Sequence, residues 1–233
     1  MLNIEQFRYG ADNFAYVVYG PSQALAIDGG AWQEILHFVD SQRLDLIHVT
    51  NTHSHFDHTP GDEILLRRTK AKYLSYDELP DQKDIMIDGQ SLTVYHTPGH
   101  THDSVCFYTG SALITGDTLF NGTIGNCFTG DIKSFYLSIK QIMALPPETL
   151  IYAGHDYVRD SLAFAEYLEP GNVDIRRFRT AYDPRDVYST LAEELKINPY
   201  LRFNEETIVA LLKEKGLPHA TEWERWESLM SIE

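Results

Sequence analysis

The sequence is poor in cysteine, in positive charge and in long apolar runs. Only Cys106 and Cys127 carry thiols among 233 residues. Two are too few for a disulfide framework, so a reducing compartment, the cytoplasm, is the expectation. The 19 Lys and Arg side chains face 34 Asp and Glu, a formal charge of −15. That excess repels nucleic acid and anionic lipid, so neither is expected as a partner. No stretch approaches the roughly 20 apolar residues of a membrane span. The start, Met1-Leu2-Asn3-Ile4-Glu5, lacks the basic and apolar regions of a signal peptide. What remains is 43% hydrophobic and 23% charged, an ordinary globular composition with ample chain for a core.

Short β-rich runs dominate the first two thirds. Phe14 to Tyr19 and Ala24 to Ile27 read as strands turned by Gly20-Pro21, and Leu46 to Val49 as a buried strand. Glu34 to Asp40 and Asp62 to Arg68 have helical spacing. A second cycle holds strands near Leu92 to His96, Val105 to Tyr108, Ala112 to Ile114 and Leu150 to Ala153, with an amphipathic Ser134 to Ala144. Two such cycles predict an αβ/βα layered sandwich. Beyond His155 the pattern turns helical, at Leu162 to Leu168, Ser189 to Leu195, Thr207 to Lys215 and Thr221 to Met230. The expected organisation is a catalytic domain over 1–158 and a small all-α domain over 159–233.

The sharpest feature is His53-Ser54-His55-Phe56-Asp57-His58, directly after the Leu46 to Val49 strand. Imidazole and carboxylate are the ligands that zinc, iron or manganese select. In an extended segment His53, His55 and Asp57 would point one way; a turn after His55 would split the set between two metals. Three further segments end apolar runs: Thr97-Pro98-Gly99-His100, Thr115-Gly116-Asp117-Thr118 and Tyr152-Ala153-Gly154-His155. Together they supply five His and two Asp, enough for two divalent ions with room left for water. Zinc is the first candidate, with iron and manganese as alternatives.

This motif set resembles the metallo-β-lactamase-fold superfamily, and more narrowly glyoxalase II, the hydroxyacylglutathione hydrolases. The likeness extends to Gly116-Asp117-Thr118-Leu119-Phe120, Gly154-His155-Asp156-Tyr157 and Glu169-Pro170-Gly171-Asn172. In the helical part it includes Ser189-Thr190-Leu191-Ala192-Glu193-Glu194 and Asn198-Pro199-Tyr200-Leu201-Arg202. The resemblance implies a four-layer α/β sandwich with a helical C-terminal domain. It also implies that His53, His55 and His100 hold one metal and Asp57, His58 and His155 the other, with Asp117 bridging. The implied reaction is hydrolysis of a small acyl thioester such as S-lactoylglutathione by a metal-bridging hydroxide. Asp57 and Asp117 are its catalytic carboxylates, Asp57 with a further duty in orienting the water. A thiolate with a pKa near 8.5 leaves without much acid assistance, so the chemistry suits such a site.

The thiol-binding positions depart from the family. Tyr157 matches the family tyrosine that contacts the thiol moiety. Asn126 stands where the family carries a cation, Phe128 replaces an aromatic hydroxyl, and Arg225 is what remains of a C-terminal basic cluster. Charge-assisted contacts contribute roughly 1.5–3 kcal/mol each, so their loss points toward a carrier thiol other than glutathione. Rival readings are a persulfide dioxygenase with a single iron, and a lactonase.

Overall fold

The computed structural model describes residues 1–232. The first cycle comprises β1 (Asn3–Tyr9), β2 (Asn13–Tyr19), β3 (Gln23–Ile27), α1 (Trp32–Gln42), β4 (Asp45–Thr50), α2 (Asp62–Arg68) and β5 (Lys72–Tyr73). The second comprises β6 (Asp84–Ile87), β7 (Gln90–His96), β8 (Val105–Tyr108), β9 (Ala112–Gly116), the small hairpin β10 (Leu119–Phe120) and β11 (Thr123–Ile124), α3 (Ile132–Met143) and β12 (Leu150–Ala153). The remainder holds α4 (Val158–Leu168), α5 (Val173–Ala181), β13 (Ser189–Thr190), α6 (Leu191–Ile197), α7 (Glu206–Glu214) and α8 (Glu222–Met230).

Strand alternation builds the layers. In β2 and β3, Phe14, Tyr16, Val18, Leu25 and Ile27 face inward, against Ile87, Val94, Phe107 and Ile114 of the second sheet. The opposite faces of the same strands carry Ala15, Val17, Ala24 and Ala26, and pack under Ile35 and Val39 of α1 and Leu65 of α2. Small residues on that side let the helices lie close. Cys106, Leu113 and Ile151 on the outer face of the second sheet meet Phe135 and Ile139 of α3 and Trp226 of α8. The result is helix, sheet, sheet, helix, the layer order that the resemblance implies.

The sheets run β1-β2-β3-β4-β5 and β13-β12-β9-β8-β7-β6. Parallel pairs β3–β4, β4–β5 and β9–β12 line up strand ends at one rim, where loops can converge. Ser189 and Thr190 form a strand on β12 rather than the start of a helix, and the helix begins at Leu191. The reason is a capping box: the Thr190 hydroxyl accepts from Glu193 N while the Glu193 carboxylate accepts from Thr190 N. Thus the helical portion also contributes an edge strand to the second sheet. Among the described residues no helix is long and apolar enough to cross a membrane.

Candidate metal centre

Four loops leaving strand ends carry the metal-ligand candidates. The segment after β4 presents His53, His55, Asp57 and His58; those after β7, β9 and β12 present His100, Asp117 and His155. Two glycines permit the approach. A Cβ at Gly154 would collide with Asp117 Oδ1, and one at Gly116, whose φ is 49°, with the Thr52 side chain.

The seven side chains fall into two groups: His53, His55, His100 and Asp117, and Asp57, His58 and His155. His55 Nδ1 lies 2.9 Å from His53 Nε2 and 3.1 Å from His100 Nε2. His58 Nε2 and His155 Nε2 are 3.2 Å apart. Asp117 faces both groups, its Oδ2 3.5 Å from His100 Nε2 and from His155 Nε2, its Oδ1 3.4 Å from His58 Nε2. Asp57 Oδ2 is 3.4 Å from His155 Nε2 and accepts from Asn13 Nδ2 at 3.0 Å.

Partners behind the rings set their tautomers. Asp28, fully buried with φ 56°, accepts from Thr52 N, from the Thr52 hydroxyl and from His58 Nδ1. With its hydroxyl hydrogen committed to Asp28, Thr52 Oγ1 is left to accept from His53 Nδ1 at 3.1 Å. His100 Nδ1 donates to the Asn126 carbonyl and His155 Nδ1 to Asp12, each at 2.9 Å. Four rings therefore keep their protons outward and aim Nε2 lone pairs into the centre, the usual support for metal-binding imidazole.

Electrostatics show the cost of that convergence. Burial pushes His53 down to about 4, with the neighbouring His58 adding to it, and burial also lowers His100. Burial works against a charged His58 too, yet Asp28 and Asp117 outweigh it and push it to about 11. His155 is raised as Asp117 and Asp12 overcome burial. Asp117 itself is held far below the usual carboxylate range, the His155 and His58 partners outweighing its burial. Buried Asp117 Oδ1 meets no donor in hydrogen-bond geometry. Lone pairs from five imidazoles and two carboxylates fit a divalent cation in place of such a proton. This is a divalent metal site.

A cleft of about 400 Å³ opens beside the cage, lined by Phe120, Tyr157, Phe164, Tyr200 and Met230 with Gly125 and Asn126. Tyr157 stacks on His155, centroids 4.9 Å apart and planes 7° apart. Asn126 reaches the cage through its carbonyl, while its residue lines the cleft. Phe128, 66% exposed, stands at the rim with its ring 5.2 Å from His100. Arg225 does not line the cleft; its guanidinium donates to Asn204 Oδ1 and to the His219 carbonyl. Sequence reasoning missed Asp12, Asn13 and Asp28. Asp28 was readable only as the end of a strand before Gly29-Gly30, and the signal for more is its left-handed backbone, which an aspartate adopts rarely.

The metallo-beta-lactamase superfamily pattern matches residues 9–81 and 72–155, and that of the hydroxyacylglutathione hydrolase C-terminus matches 156–230. The hydroxyacylglutathione hydrolase of Methylobacillus flagellatus is 35% identical over 219 residues, covering 87% of this chain and 88% of its own. That of Chromohalobacter salexigens is 30% identical over 226 residues, covering 88% of each chain. Among solved structures, ETHE1 from Myxococcus xanthus matches with a TM-score of 0.69 at 24% identity, over 97% of this chain and 99% of that one. Likeness at that identity concerns the fold.

Proposed function

The chain belongs to the hydroxyacylglutathione hydrolase family of the metallo-β-lactamase superfamily, and from that premise we propose a metal-dependent thioesterase acting on a small acyl thioester. The observation that carries this reading is the cage itself, seven inward ligand atoms in two groups with Asp117 facing both. The cage suits two divalent ions, zinc first and iron or manganese as alternatives, since His and Asp donors accept all three. Such ions supply Lewis acidity and make water a nucleophile near neutral pH.

The chain's own groups do the rest. Asp117 places negative charge between the two sets and holds them together. Asp57, oriented by Asn13, directs an attacking water toward the acyl carbon. The water gives up its protons to solvent as its oxygen bonds the acyl carbon, the C–S bond breaks, and the thiolate departs into the cleft under Tyr157 and Phe120. Stacked on His155, Tyr157 shields that side of the cage from bulk water. In this reading residues 1–158 carry the chemistry, and 159–233 supply the far wall of the cleft through Phe164, Tyr200 and Met230. Two free cysteines suit a cytoplasmic setting.

The test is hydrolysis of S-D-lactoyl thioesters by metal-analysed protein, followed by thioester absorbance. Turnover that disappears on chelation and returns with metal supports the reading. Metal-loaded protein that cleaves no thioester, but takes up oxygen with a persulfide or opens a lactone, overturns it.

A further inference from the structure

The cleft beside the cage has aromatic and aliphatic walls, and among the described residues its one charged lining side chain is Asp160, exposed at the mouth. Among the described residues no lysine or arginine lines it. Three basic groups are already engaged, Arg202 and Arg225 of the helical portion and Lys140 of α3. Arg225 binds Asn204 and the His219 carbonyl, Arg202 pairs with buried Glu169 at 2.7 Å, and Lys140 pairs with Glu222 at 2.7 Å. Around this cleft the whole chain carries a formal charge of −15. A carboxylate entering an apolar, half-enclosed cleft loses hydration, and here it would meet no cationic side chain and one like charge. A neutral carrier loses far less and gains apolar contact with Phe120, Phe164 and Tyr200, and a cationic one meets the opposite charge of Asp160.

We propose that the cleft takes a carrier thiol free of carboxylates, neutral or cationic, and discriminates against acidic thiols, glutathione included. This rests on the thioesterase reading of the cage and concerns only the leaving thiol. Selection is electrostatic and acts on binding. It therefore appears in KM, with kcat set by the cage and little changed.

The experiment uses three thioesters of one acyl group with the metal-loaded protein: S-D-lactoylglutathione, the same compound with both carboxylates esterified, and S-D-lactoyl-N-acetylcysteamine. The esterified form has the tripeptide's frame without its negative charge. Its KM is expected to be about tenfold or more below that of the free acid, the scale of one missing charge-assisted contact. The kcat values should agree within about twofold, and the N-acetylcysteamine ester should outperform the free acid in kcat/KM. Asp160→Lys is expected to narrow the gap between acid and ester several-fold by improving the acid alone. Equal or better kcat/KM for the free acid overturns the inference and leaves the thioesterase reading standing, and so does a gap that Asp160→Lys leaves unchanged. Failure to hydrolyse all three by protein holding its metal overturns the reading, and this inference with it.

Discussion

The floor of the active site and the wall of its cleft are built by different rules. On the floor, each inward imidazole of His53, His58, His100 and His155 has a fixed partner behind it, and most of these groups are buried. On the wall, Phe164, Tyr200 and Met230 come from distant parts of the helical portion and present aromatic and aliphatic surface to the cleft. The floor decides which bond breaks, and the wall decides what that bond may be attached to. The two also meet physically. Glu194 of α6, fully buried, accepts from Gly122 N in the β10–β11 turn and from Asn198 Nδ2, each at 2.9 Å, tying the helical portion to the hairpin that carries Phe120.

If floor and wall divide the work in this way, a floor substitution lowers kcat and metal content together. Asp117→Ala should cost roughly a thousandfold or more in kcat, measured by thioester absorbance, with metal per chain measured alongside. A wild-type kcat in this variant would erase the distinction.

The joint between the regions is open to a pH test. Burial raises Glu194 to about 7, and hydrogen bonds from Ser189, Asn198 and Gly122 only partly offset it. A carboxyl raised in the folded state holds its proton there after the unfolded chain has released it. The contribution of this group to stability is therefore fully present below pH 4.5 and is lost as pH rises through about 7. The loss is about 3 kcal/mol at most. Glu194→Gln should remove that slope, read from thermal midpoints at pH 5 and pH 8. An unchanged slope would take the pH sensitivity away from the joint.

Asp28→Asn keeps the shape and tolerates the left-handed backbone, but its single oxygen cannot serve Thr52 N, which reaches Oδ1, together with the Thr52 hydroxyl and His58 Nδ1, which reach Oδ2. Metal affinity should fall roughly tenfold to a hundredfold in chelator competition, while the cleft's preference among carrier thiols stays as in the parent. The smallest effect is expected at the rim. Phe128, largely exposed, should be replaceable by Ala within about twofold in kcat, with any change confined to KM.

The same division explains what could be read from the sequence. The layered fold follows from strands that are short continuous apolar runs, such as Phe14 to Val18, and from helices with one apolar face. The half-exposed edge strand Asn3–Tyr9 and the charged helix Val173–Ala181, of which only Ile175 is buried, lack those signatures and went unread. The convergence of His53, His55, Asp57, His58, His100, Asp117 and His155 was legible because these residues cluster in short motifs at strand ends. Asp12, Asn13 and Asp28 were not, because each acts through a partner far away in sequence; Asp28 meets His58 thirty residues on. Arg225 looked available from its place in the last helix, and only the fold shows it held by Asn204.

The most direct test of the account is metal reconstitution of chelator-stripped protein, titrating zinc while following hydrolysis of S-D-lactoyl-N-acetylcysteamine. The account expects no activity without metal, and activity that rises with added zinc and levels off at two ions per chain. Full occupancy with no thioester cleaved, or undiminished cleavage by metal-free protein, would contradict it.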